Sequence, residues 1–176
     1  KARDYKFNSF AIKNSSIKNG IIYGPNGSGK SNFGLAIFDI VNHLTQKLRK
    51  PDYYVNFVFA GNQRHTVDFE YTFKFEDQII EYDYSKNAQG LLVSERLFHN
   101  SKTVFERKQG SFEIDQEEFP MNEKIKSAFA VNTNNVSIVN NLLVSYPLPE
   151  DHYLIKLQNF LNSMLDGDYE AALEFY

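Results

Sequence analysis

Gly24-Pro25-Asn26-Gly27-Ser28-Gly29-Lys30-Ser31 is the stretch on which the reading of this chain turns. It satisfies G-x-x-x-x-G-K-[ST] at every fixed position, the pattern of a loop whose backbone N–H groups wrap a phosphate. Ile21-Ile22-Tyr23, just ahead of it, has the apolar character of a short strand, and a helical pattern starts directly behind it. Strand, loop and helix in that order are the setting in which the pattern has physical meaning. Glycine, lacking a Cβ, lets the backbone turn sharply and approach an anion closely, which is the part given to Gly24, Gly27 and Gly29. Pro25 stiffens the approach. Backbone N–H groups from Gly27 to Ser31, with the positive end of the following helix, make a cradle for a β-phosphate. Lys30 carries charge toward the β- and γ-phosphates, and the Ser31 hydroxyl is placed to ligate Mg²⁺. The plain alternative is a glycine turn before a helix, with Lys30 and Ser31 as a solvated helix start.

Outward from the loop, spacing predicts a helix over 30–49. Phe33, Ile37, Val41, Leu44 and Leu48 recur at intervals of three and four, as one apolar stripe requires. Lys47, Arg49 and Lys50 crowd its end and Pro51 stops it. Gly34 costs the helix about 1 kcal/mol against alanine, whether it serves close packing or is simply tolerated. From Tyr53 to about Asp115 the period changes to two. Val67, Phe69, Tyr71, Phe73 and Phe75 alternate with polar residues, then Ile80, Tyr82 and Tyr84. Leu91–Phe98, Thr103–Arg107 and the Phe112/Ile114 pair follow, separated by turns at Glu76-Asp77, Asn87–Gly90, Asn100–Lys102 and Gln109-Gly110. Short strands joined by tight turns predict an antiparallel meander with aromatic residues in its core. Beyond Pro120, Met121–Phe129 is helix-like and Val136–Val144 is apolar. Leu154, Leu157, Leu161 and Met164, widened by Phe160 and Leu165, define an amphipathic helix ending near Gly167.

The chain is α/β in class: 1–52 as core strands and first helix, 53–118 as an antiparallel β subdomain, 119–176 as the start of a helical lobe or arm. With 176 residues, 42% of them hydrophobic and 15% aromatic, it can bury a core. Net charge is −3, and the basic runs are short, so a polyanion partner is not indicated by this segment. Arg107-Lys108 reads as a strand end or turn, and Glu113, Asp115, Glu117 and Glu118 as solvated charge. Cysteine is absent, which removes disulfides and thiolate metal sites and agrees with a cytoplasmic location. No stretch has the apolar length of a membrane span, and no signal peptide is visible. Lys1 in first place suggests a chain whose natural start lies further upstream. His43, His65, His99 and His152 are scattered, with no pair at metal-ligand spacing, and are read as surface or packing residues.

Asn32 narrows the reading. G-P-N-G-S-G-K-S-N followed by an apolar helix resembles the loop of the SMC, RecF and OLD class of ATPases within the wider ATP-binding-cassette group. Ile21–Gly24 and the helix from Asn32 to Asp39 resemble OLD-like AAA-family ATPases of bacterial anti-phage systems such as PARIS and Septu. The likeness continues loosely through Ser94–Leu97 and Val104–Arg107. It implies a P-loop NTPase fold, an ABC-type nucleotide-binding lobe, with Gly24, Pro25, Asn26, Gly27, Ser28, Gly29, Lys30, Ser31 and Asn32 holding ATP. It further implies Lys30 acting in catalysis, Ser31 on Mg²⁺, and ATP sandwiched in a head-to-tail homodimer or higher homo-oligomer. An effector or sensor protein is the expected partner in a defence or DNA-maintenance complex; nucleic acid stays open and a membrane is not expected. Relatives place an apolar strand ending in Asp-Glu and a signature loop far downstream. Neither occurs here: Ile79–Asp83 reads as an amphipathic meander strand, and Phe38-Asp39 lies on the loop's own helix. Residues 1–176 are therefore expected to be the N-terminal lobe of a larger ATPase. A glutamine touching Mg²⁺ is expected after the antiparallel strands, with Gln109 and Gln116 as candidates. Two other functions fit the loop: a P-loop kinase acting on a small acceptor, and an assembly protein that binds nucleotide without turnover.

Overall fold

Side-chain alternation builds most of what holds this molecule together. The computed structural model describes residues 12–13, 16–17, 21–45, 65–108, 110–131 and 135–164. Five strands, β3 (Thr66–Phe75), β4 (Gln78–Asn87), β5 (Leu92–His99), β6 (Lys102–Lys108) and β7 (Ser111–Ile114), pair antiparallel in chain order. The expected meander is present, reaching Lys86 and Asn87 at the end of β4 and leaving Leu91 outside β5. Asn100 and Ser101 both have positive φ, 49° and 66°, as a two-residue turn of type I′ demands between β5 and β6. The Asn100 side chain accepts from Ile79 N at 2.8 Å, tying that turn to β4.

Register explains the burial. Tyr71, Tyr82, Leu97, Phe105 and Ile114 are successive cross-strand partners, one row across the sheet. Phe69, Tyr84, Glu95, Arg107 and Phe112 form the adjacent row. Directly opposed residues share a face, so both rows point the same way. The opposite face carries Asp68, Glu70, Thr72, Lys74, Glu81 and Glu106, all exposed.

The chain divides into two compact units, Lys1–Leu35 and Ala36–Tyr176. In the first, β1 (Ile12–Lys13) and β2 (Ser16–Ile17) make a small antiparallel pair. Helix α1 (Lys30–Thr45) begins in this unit, and the division falls within it. In the second unit, residues 36–45 of α1 share one core with the sheet and with α3 (Ile138–Ser145) and α4 (Tyr153–Ser163). Ile40, Val41 and Leu44 meet Ile80, Tyr82, Leu97, Phe105, Ile138, Leu142, Leu154, Leu157 and Leu161 in that core. Helix α2 (Glu123–Val131) buries no residue fully, although Phe129 stands edge-on to Phe112. Within the segment read as the start of a helical lobe or arm, α3 and α4 share the core of the sheet. No described helix is long and apolar enough to cross a membrane.

The apolar stripe expected along α1 is displaced. Phe33 and Ile37 are 53% and 40% exposed, whereas Asp39 and His43 are buried beside Ile40. The reason is a set of polar partners on the sheet. Lys86 Nζ donates to both Asp39 carboxylate oxygens, at 3.1 and 2.9 Å, and the Tyr84 hydroxyl donates to Oδ2 at 2.5 Å. Tyr71 donates its hydroxyl to the Ala36 carbonyl. Leu48, the last residue of the expected stripe, lies outside the described residues.

A second buried ion pair joins sheet to helices. Arg107 Nη2 meets Glu95 Oε2 at 2.7 Å, with both side chains almost fully enclosed. Arg107 also donates to Val136 O at 3.2 Å, and the backbone N–H of Ile138 donates to both Glu95 oxygens. The Glu95 carboxylate therefore sits at the start of α3, where the helix dipole favours negative charge. Ser137, the N-cap, accepts from Asn140 N. Tyr82 donates to Glu95 Oε1 at 2.6 Å and lies 2.8 Å from His43 Nε2. Since the phenol proton goes to the carboxylate, His43 must donate, which fixes the Nε2–H tautomer. Arg107, read from sequence as a strand-end residue, is thus a buried one; its inward register position opposite Glu95 is the cause.

Burial dictates the protonation behaviour. It holds the His43 imidazole well below its ordinary 6.5, with Lys86 and Arg107 adding to the effect. It pushes the Glu95 carboxyl up against the pull of Arg107 and three hydrogen-bonding groups, and pushes Lys86 down against the pull of Asp39. The Tyr82 and Tyr84 phenols are driven well up by burial, next to Glu95 and Asp39 respectively.

Candidate functional site

Gly24–Ser31 forms a bent loop leading into α1. Ser28 N donates to Pro25 O at 3.2 Å, closing a turn whose third residue, Gly27, has φ 79°. Gly29 follows at φ 87°. Positive φ crowds the Cβ of an L-residue against the backbone, so glycine is favoured at both places. Phe33 N donates to Gly29 O at 3.0 Å, opening the helical ladder. The N–H groups of Lys30, Ser31 and Asn32 precede that first i→i−4 bond, and helix geometry gives them no carbonyl within the helix. They are the amides an anion would take, at the positive end of a helix of 16 residues.

Lys30 folds back over the loop. Its Nζ donates to Gly24 O at 2.8 Å and Pro25 O at 2.9 Å. The ammonium is thereby held against the loop's own carbonyls, and a phosphate oxygen could replace them as acceptor at little rearrangement. Residues Gly24 to Gly29, Ser31 and Asn32 are exposed and Lys30 half-buried, so the loop is open to a ligand. A Cβ built on Gly24 would lie 2.9 Å from Ser28 Oγ, the end of a side chain that can turn away. Ile21, Ile22 and Tyr23, read from sequence as a strand, are irregular and exposed.

The donor set suits Mg²⁺ only when a phosphate comes with it. Ser31 offers a single hydroxyl in the first turn of α1, and Mg²⁺ is commonly held by one or two protein oxygens plus substrate phosphates and water. Among the described residues no three His, Cys, Asp or Glu side chains converge on a possible metal position.

The remaining candidates fall elsewhere. Gln109 lies outside the described residues, and Gln116 Oε1 accepts from Met121 N at 3.0 Å, closing a local turn. Ile79–Asp83 lies in β4, an antiparallel strand, as its alternation predicts. His43 is a packing residue; His65 is exposed with φ 52°. His99 stacks on Tyr153 with ring centroids 3.9 Å apart. Of the acidic cluster read as solvated, Glu113 and Glu117 are exposed, but Asp115 pairs with Lys102 and Glu118 accepts from Tyr153 at 2.6 Å. Sequence reasoning missed the Asp39–Lys86 and Glu95–Arg107 pairs; extending strand parity to positions 86, 95 and 107 was the available signal. No protein-family model matches this chain, and neither a curated protein nor a solved structure does.

Proposed function

We propose that Gly24–Asn32 binds the triphosphate of ATP together with Mg²⁺, as the nucleotide-binding lobe of an SMC/RecF/OLD-like ATPase. The observation that carries this is the position of Lys30: an ammonium hydrogen-bonded to the carbonyls of Gly24 and Pro25, at the start of a helix preceded by two positive-φ glycines. On binding, the ammonium exchanges those carbonyls for β- and γ-phosphate oxygens, and the N–H groups of Lys30 to Asn32 gain acceptors. Mg²⁺ supplies neutralisation of the phosphate charge, and the Ser31 hydroxyl holds it. Hydrolysis also needs a group that orients water and a second Mg²⁺ ligand, assigned by the resemblance to downstream segments. In this reading ATP joins two heads and its hydrolysis parts them, in a defence or DNA-maintenance complex.

Lys30→Ala tests the site. Removing a charge-assisted contact to phosphate costs about 2–3 kcal/mol, roughly a hundredfold in Kd for Mg-ATP by calorimetry. Unchanged affinity in the variant would remove the proposal. Phosphate release from the natural full-length protein then separates turnover from nucleotide-gated assembly.

A further inference from the structure

Helix α4 is capped by an imidazole, and that cap is linked to a carboxylate. His152 Nδ1 accepts from Leu154 N at 3.2 Å, so it carries no proton there. The proton of the neutral ring is then on Nε2, which lies 3.3 Å from Glu118 Oε1. Serine, threonine, asparagine and aspartate cap helices with an oxygen that keeps its lone pairs near neutral pH; an imidazole nitrogen does not.

The geometry points to a proton-operated latch at the N-terminus of α4: neutral His152 caps the helix through Nδ1, and protonation removes the cap and leaves the imidazolium held by Glu118 alone. The proton taken up occupies the lone pair that Leu154 N–H used. The new positive charge faces the positive end of the helix dipole, which opposes it, and the Glu118 carboxylate, which attracts it. The Leu154 contact is lost, while the Glu118 contact, already made through Nε2, becomes charge-assisted.

The groups around His152 agree with this. Glu118 accepts from Tyr153 as well; burial works to raise its carboxyl, but hydrogen bonds from His152 and Tyr153 outweigh that and hold it below the ordinary glutamate value. Tyr153 stacks on His152 at 4.4 Å and on His99, at the end of β5, at 3.9 Å. Burial lowers the His99 imidazole, against the pull of Glu118 and with the push of His152. On the Glu118 turn, Asp115 and Glu117 are engaged by Lys102 from β6. Glu150 and Asp151 precede His152 in its own turn, and Lys156 N donates to the His152 carbonyl. Phe119 closes the remaining side, edge-on at 6.0 Å. The helix so latched supplies Leu154, Leu157 and Leu161 to the core.

The test is amide exchange of Leu154 by NMR across pH 5–8, corrected for intrinsic exchange, beside the titration of the His152 ring followed at its carbon-bound protons. The protection factor of Leu154 is expected to fall about fivefold, the worth of an ordinary N-cap, with the same midpoint as the ring. His152→Asn, which keeps an acceptor that does not titrate, is expected to abolish the fall. Glu118→Gln is expected to move the midpoint to lower pH, because the imidazolium loses its partner. A Leu154 protection factor that is flat in the wild type, or that falls equally in His152→Asn, would overturn the latch.

Discussion

Gly29 and Gly34 flank the first turn of α1, and the backbone gives them opposite values. Gly29 has φ 87° with open space where a Cβ would be, so its cost to a larger residue is conformational, not steric. Gly29→Ala is expected to lose about 1–2 kcal/mol and to weaken Mg-ATP binding, since the loop must hold left-handed backbone. Gly34 has ordinary helical φ and nothing within 4 Å of an added Cβ. Gly34→Ala is therefore expected to gain about 1 kcal/mol in denaturant unfolding with nucleotide affinity unchanged. Had Gly34 been demanded by close packing, the same substitution would destabilise.

At the scale of the elements, the Glu95–Arg107 pair joins β5 and β6 to the start of α3. Arg107→Met leaves a fully enclosed carboxylate without its cation, and a loss of about 3–5 kcal/mol is expected in urea unfolding. Replacing both residues with apolar ones should recover much of that loss, because the uncompensated charge goes with them. A double variant as unstable as the single one would show that the pair matters for something other than charge balance. These same residues mark where sequence stopped being legible. Period-two spacing disclosed the meander, its turns and its inward aromatics, because burial on one face forces alternation. Lys86, Glu95 and Arg107 occupy the same inward parity, but hydropathy cannot register a charged residue whose partner lies on another strand or on α1. Asp39 and His43 pulled the buried face of α1 away from Phe33 and Ile37 for the same reason. The loop was legible in its glycines and its lysine; the hydrogen bonds from Lys30 to its own carbonyls were not, since no pattern encodes a side-chain rotamer.

For the whole molecule, acid stability carries the signature of His43. Its folded-state value is depressed, so its contribution is fully present above the unfolded value of 6.5 and is lost as pH falls through the region below it. The slope from this one group is at most about 1.4 kcal/mol per pH unit. Glu95 works in the opposite sense: a carboxyl raised by burial favours the fold at low pH and loses that contribution as pH rises. The measurement is therefore a comparison: urea midpoints from pH 7 to 5 should fall more steeply in the wild type than in His43→Gln. Parallel slopes would mean that the imidazole protonates within the folded chain.

The sheet order has a consequence in time. Every strand of β3–β7 is hydrogen-bonded to its neighbour in the chain, so each hairpin can close within microseconds without a long loop to entropically restrain. The bonds carrying α1 onto the sheet span 35 to 47 residues, and loop closure makes them late arrivals. Refolding kinetics should divide accordingly: Leu97→Ala slows folding, whereas Val41→Ala chiefly accelerates unfolding.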